Sequence, residues 1–233
     1  MVRMARLLVV AAWAALAGGC SHRLLKPLRP MPVHPMGSFH SVAREDSAPA
    51  DGGAPVARPT AHKWYAKPNG RAWKHIVIHH SASDSGSAAS FDRYHRIKRG
   101  WDELGYHFVI DNGHGGPDGR VEVGSRWVKQ KHGAHCGGTP GNEYNEHGIG
   151  ICLVGTFTAG MPTKAQLASL RKLLLYLMRT HRIGENSVIG HRDAPFACTA
   201  CPGDAMHRYI CHTLRPQLTR ALAEPLRTAA RGP

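Results

Sequence analysis

Apolar and polar positions along this chain follow two spacings, and the spacings divide it into strands and helices. The run Ile76, Val77 and Ile78 is short and β-branched, which predicts a buried strand over 75–80. A helix is expected near 88–99, then strands at 106–111 and 120–124 joined by a turn at Asp118 and Gly119. A further buried strand at 148–155 precedes the strongest helical signal, over 163–181. There Leu167, Leu170, Leu174 and Leu177 recur on one face, and Thr163 with Gln166 forms a capping-box pair at the start. A short strand at 187–190 and a helix from 204 to about 223 complete the order. Alternating strands and helices predict an α/β fold, a single domain whose central mixed β-sheet is flanked by helices. The glycine-rich residues 112–119 lack the lysine and the following helix of a phosphate loop, so they read as a hairpin loop.

The first sixty residues do not fit this pattern. Residues 1–20 begin with Arg3 and Arg6, continue through an apolar stretch from 7 to 17, and end Gly18, Gly19, Cys20. That stretch is too short to span a bilayer and reads as an export signal. Small residues directly before a cysteine resemble the lipobox of bacterial lipoproteins, with Cys20 the lipidated residue. Ala17 stands where that motif usually has leucine, which keeps ordinary secretion and an uncleaved anchor open as alternatives. Residues 21–60 hold seven prolines and no apolar period, so they are expected to be an extended tether. The chain beyond residue 60 is about 170 residues, enough for one core; the domain proper is then 61–224, with a basic tail at 225–233.

Charge and cysteine usage refine the picture. The formal net charge is +14; residues 1–60 hold seven Lys or Arg against three Asp or Glu, so most of the excess lies on the domain. A basic exported domain suits an anionic polymer such as cell wall or lipopolysaccharide. Export and the lack of a recognisable binding motif argue against nucleic acid. Of six cysteines, Cys20 is assigned to lipid and Cys201 to metal, and Cys136, Cys152, Cys198 and Cys211 remain to form disulfides in an oxidising compartment. Cys198 with Cys211 would make a short staple. Cys198 and Cys201 also have redox Cys-x-x-Cys spacing, but no helix opens there directly after a strand.

The candidate chemistry lies in His79, Tyr106, His191 and Cys201. His79 sits at the end of the first apolar strand, His191 follows Val188, Ile189 and Gly190, and Cys201 comes ten residues later in a loop ending Cys201-Pro-Gly-Asp204. Two imidazoles and one thiolate fill three corners of a tetrahedron, and a catalytic Zn2+ keeps the fourth for water. A nucleobase deaminase would need His-x-Glu and Pro-Cys-x-x-Cys, and neither occurs.

Five segments then carry a family resemblance over nearly all of 73–212. They are Ile-Val-Ile-His79-His80-Ser, Leu-Gly-Tyr106-His-Phe-Val-Ile, Gly-Ala-His135, Ile149-Gly-Ile-Cys152-Leu-Val-Gly, and Gly190-His191-Arg-Asp with Cys201-Pro-Gly-Asp. In order and spacing the chain resembles the zinc-dependent N-acetylmuramoyl-L-alanine amidases of type 2, with the related phage lysozyme-amidases and peptidoglycan recognition proteins. The resemblance implies a zinc groove at one end of the sheet and His79, His191 and Cys201 as the ligands. It implies hydrolysis of the amide between the muramyl lactyl group and L-alanine, so peptidoglycan or muropeptides are the expected partners. Nothing demands more than a monomer.

Individual roles follow from the same matches. Tyr106 is expected beside the metal, where its hydroxyl orients the water or stabilises the oxyanion, against the plainer reading of an aromatic packed in a strand. His135 is expected to contact substrate. His80 should point to the other face of the strand, packed or hydrogen-bonded. The cytosolic recycling branch has a catalytic glutamate where this chain has Cys152, and phage enzymes have a lysine where this chain has Thr199, as the animal amidases do. Thr199 is therefore expected to share the polar work with Tyr106. Asp193 either orients a ligand or caps its loop, and Glu143 and Glu146 read as solvated loop charges. His107, His114, His132, His147 and His181 read as packing or surface residues. The rival reading is a module that binds muropeptides without cutting them, which loss of the cysteine ligand would favour. A third is a hydrolase of the same chemistry acting on another amide.

Overall fold

β-branched and leucine-rich runs flanked by polar turns settle into five strands and six helices among the described residues of this computed structural model, which are Trp64 and 71–224. In chain order they are β1 (His75–His80), α1 (Ala88–Arg99), β2 (Phe108–Ile110), β3 (Val121–Val123), α2 (Ser125–Val128), α3 (Glu143–Glu146), β4 (Gly148–Leu153), α4 (Lys164–His181), β5 (Val188–Gly190), α5 (Asp204–Tyr209) and α6 (Arg215–Ala223). The export signal, tether and basic tail expected at 1–20, 21–60 and 225–233 lie outside the described residues.

The sheet runs β3-β2-β4-β1-β5. β1 is parallel to both β4 and β5, β2 is parallel to β4, and β3 alone is antiparallel, which makes the sheet mixed as expected. Its parallel strands are buried on both faces, and β4 has no exposed position. Ile76, Ile78, Phe108, Ile110, Ile149 and Ile151 face one way, against Leu170, Leu174 and Leu177 of α4 and Leu218 of α6. Each such side chain is worth about 1.5–3 kcal/mol buried. Val109 and Cys152 face the other way, with Leu104, Phe91 and Tyr106. His79 pairs in register with Cys152 and shares that second face.

The helix ends were written locally. Ser87 caps α1 and Gly100 ends it at φ 68°. Thr163 accepts from the Gln166 amide, the expected capping box, and buried Gln166 then donates to the carbonyls of Ile110 (3.0 Å) and Val154 (2.9 Å). One side chain therefore opens α4 and ties it to the strand ends beside the groove.

Several expectations need correction. β2 begins at Phe108, so Tyr106 precedes the strand rather than lying in it. Glu143 and Glu146 sit on a one-turn helix, where Glu143 meets Lys74 at 3.1 Å. The last helix is not uniform: 210–214 form a wider π turn. The physical reason is Pro216, whose ring clashes with the carbonyl four residues back in an ordinary helix. The five described cysteines are all free thiols, so the Cys198–Cys211 staple is not formed. Among the described residues no helix is long and apolar enough to cross a membrane.

Candidate metal centre and its groove

The C-terminal ends of β1, β4 and β5 converge, and the segments leaving them carry the polar residues that the core rejects. His79 and His80 end β1, the Gly190 turn after β5 presents His191, and the loop from Ala194 returns Thr199 and Cys201 to the same place. These residues and α1 enclose a groove of about 750 Å³, lined among others by His79, Tyr106, His135, His191, Thr199 and Cys201. Every site residue expected from the sequence is on its wall.

His79, His191 and Cys201 each offer one donor atom, and the three atoms lie within 4.8 Å of one another. The His79 and His191 rings are 4.6 Å apart, and Cys201 Sγ lies 3.7 Å from His79 Nδ1. Among the described residues this is the one group of His, Cys, Asp or Glu so arranged. Burial, with nearby His135 and His191, holds His79 well below its ordinary value, and burial also lowers His191. Burial pushes the Cys201 thiol up to about 12. The donor set is thus two neutral imidazoles and a thiol that needs a cation to ionise it. Two nitrogens, one sulfur and no fourth protein ligand fit a borderline-soft cation with an open position.

The loop holding Cys201 is fixed from several sides. The Thr199 hydroxyl accepts from Cys201 N at 3.1 Å, and Cys201 Sγ accepts from His80 N at 3.4 Å. Arg192 reaches Asp204 at 2.6 Å and also donates to the Ala200 carbonyl. Asp193 accepts from Gly190 N at 3.0 Å and meets His207 at 2.7 Å, so it caps its own turn. His80 lies on the opposite face of β1 from His79, as expected, with Nδ1 accepting from Phe157 N at 3.3 Å.

Tyr106 stands on the other wall, its ring 5.2 Å from that of His79. Burial and the adjacent Cys152 and Cys201 thiols raise its hydroxyl well above 10, so it stays a donor at working pH. Burial likewise keeps Cys152 protonated. His135, expected to touch substrate, is 8% exposed and both its ring nitrogens have protein partners: His79 Nε2 at 3.1 Å and the Gly148 carbonyl at 3.2 Å.

Among the groove residues not singled out from sequence are His95, Arg99 and Trp101. His95 of α1 is buried and accepts from Gly105 N at 3.1 Å, steadying the turn into Tyr106. Arg99 and Trp101 line the groove at the end of the same helix. The spacing of His95 and Arg99 on one helix face was the available signal.

The mixed α/β sheet thus carries, in a groove, a His-His-Cys group that could hold a metal ion. A family model described as N-acetylmuramoyl-L-alanine amidase matches residues 69–204, and the chain belongs to that family. It is 32% identical over 147 residues to an N-acetylmuramoyl-L-alanine amidase of Homo sapiens, covering 58% of this chain and 22% of that protein. It is 35% identical to an endolysin of Enterobacteria phage T3, covering 58% of this chain and 83% of the endolysin. Among solved structures, N-acetylmuramoyl-L-alanine amidase LysC from Clostridium intestinale superposes with a TM-score of 0.51 at 27% identity, covering 65% of this chain and 85% of that one. The chain thus spans about a fifth of the human relative, 22%, and most of the phage and clostridial ones.

Proposed function

We propose that this chain is an exported Zn2+-dependent amidase that cuts the bond between N-acetylmuramic acid and L-alanine in peptidoglycan. The observation that carries the reading is the triangle of His79, His191 and Cys201 in a groove that also holds Tyr106 and Thr199. When bound, Zn2+ supplies Lewis acidity at the scissile carbonyl and brings the pKa of water down to roughly 7.

The chain's own groups do the rest. Tyr106 keeps its proton and donates a hydrogen bond where negative charge develops on the carbonyl oxygen. Thr199 accepts from Cys201 N through one lone pair, and its hydroxyl proton is available to donate into the groove. Cys152 stands where a carboxylate base sits in the cytosolic branch, and as a protonated thiol it takes no part in proton abstraction. Export rests on the leader pattern of residues 1–20, with lipid anchoring at Cys20 and the domain acting as a monomer.

The test is mass spectrometry of muropeptides and whole peptidoglycan incubated with the protein, with chelator and with Zn2+ restored. Stem peptides beginning with L-alanine, lost on chelation and regained with Zn2+, are expected. Binding without cleavage by the folded, Zn2+-loaded protein would make it a recognition module. Neither binding nor cleavage would point to another amide.

A further inference from the structure

The tautomer of His79 can be deduced from its neighbours. His135 Nε2 lies 3.2 Å from the Gly148 carbonyl oxygen, which can only accept, so Nε2 carries the proton. In a neutral ring Nδ1 is then an acceptor, and it lies 3.1 Å from His79 Nε2. His79 Nε2 must therefore donate. That leaves the lone pair of His79 on Nδ1, the nitrogen 3.7 Å from Cys201 Sγ.

The His135 ring has a built seat. A Cβ at Gly150 of β4 or at Gly133 would fall 2.3 Å from its Cδ2, so both positions have room only for hydrogen beneath it. Its own backbone N–H and that of Cys136 donate to Asn145 Oδ1, each at 2.8 Å. With both nitrogens engaged and the ring buried, His135 has no free polar atom to offer a substrate.

We infer that His135 is a positioning residue that locks the His79 tautomer and aims its Nδ1 into the donor triangle, rather than a substrate contact. The inference rests on the metal-centre reading for its purpose, but the tautomer stands apart from any activity. Histidine ligands usually send their second nitrogen to a carboxylate, a carbonyl or water. Here a second imidazole relays the bond to the main chain.

The test uses the full chain and two variants. His135→Leu removes the acceptor, while His135→Asn keeps an amide oxygen near the position of Nδ1. Two-bond ¹⁵N–¹H correlation spectra of the metal-free wild type should show His79 as the Nε2–H tautomer; an Nδ1–H tautomer overturns the inference. By chelator competition, His135→Leu should bind Zn2+ about 10–100-fold more weakly, with affinity largely rescued in His135→Asn. Unchanged Zn2+ affinity in a folded His135→Leu would overturn it, as would a raised KM for muropeptide with native Zn2+ affinity. Should His135→Leu fail to fold, the wild-type spectrum and His135→Asn still decide. Failure of the amidase reading would appear as absent cleavage with the tautomer and Zn2+ results intact.

Discussion

Gly150→Ala should damage the metal centre without touching a metal ligand. The new methyl would sit 2.3 Å from His135 Cδ2, 2.6 Å from Cγ and 2.7 Å from Nε2, where ordinary contact begins at 3.4 Å. Relieving this moves the imidazole by about 1 Å, because β4 is fixed between β1 and β2 and cannot yield. A shift of that size lengthens the 3.1 Å bond to His79 and the 3.2 Å bond to Gly148 beyond hydrogen-bonding range. Overpacking costs about 1–3 kcal/mol and each lost bond about 1 kcal/mol. A destabilisation of about 3–5 kcal/mol should lower Tm by roughly 6–20 °C in a domain of this size. Zn2+ affinity should drop about 10–100-fold. Gly184→Ala is the control, since nothing lies within 4 Å of its would-be Cβ. Thermal unfolding and Zn2+ competition on both variants would read this out. A Gly150→Ala protein with native Tm and native Zn2+ affinity would refute the claim that the seat beneath His135 matters.

Two further variants test the groove wall and a buried carboxylate outside it. Tyr106→Phe should cut kcat about 10²–10³-fold with Zn2+ stoichiometry unchanged, measured by turnover and metal analysis; full activity removes Tyr106 from the chemistry. Glu103→Gln concerns acid stability, read as urea midpoints between pH 6 and 2. Burial of Glu103 pushes its carboxyl up, but hydrogen bonds from Ser125, Lys129 and Lys131 outweigh this and bring it from 4.5 to about 2. Its stabilisation is therefore present above about 4.5 and lost as pH falls through about 2. The variant should be less stable at neutral pH, with a flatter acid profile; parallel profiles would refute the assignment.

The local signals in the chain carried most of the fold. The Ser87 cap and Gly100 stop bound α1, and Thr163 with Gln166 marks the start of α4. The apolar runs found every parallel strand because those strands are buried on both faces, although each observed strand other than β1 is shorter than its run. The clustering of His79, His191 and Cys201 was legible because each follows a strand end or closes a Gly- and Pro-punctuated loop. The role of His135 was not, because its partners are 56 residues back in β1 and 13 ahead at the start of β4, and only the parallel register brings them together. The physical reasons for Gly148 and Gly150 also lie elsewhere in the chain. One avoids the Tyr144 carbonyl and the other makes room for an imidazole. The π turn escaped because a proline's effect on the preceding turn depends on how the chain absorbs the clash.

The protonation states of the site make cation binding by the His79, His191 and Cys201 group testable through pH alone. In the metal-free protein burial holds Cys201 up at about 12, so it is a thiol throughout the physiological range. Burial holds His79 and His191 below their ordinary value, so both are neutral there. Binding a thiolate-seeking cation must therefore release one proton, from sulfur, and none from the imidazoles. Zn2+ affinity should rise about tenfold per pH unit just below pH 7, and more steeply above it as the bound water gives up a proton of its own, read by competition with a chelator of known proton linkage. A slope near zero would mean that the thiol is already ionised in the free protein, against the effect of its burial. A slope of two or more below pH 7 would mean that a histidine ligand is protonated there, which a buried and a half-buried ring 4.6 Å apart strongly disfavour.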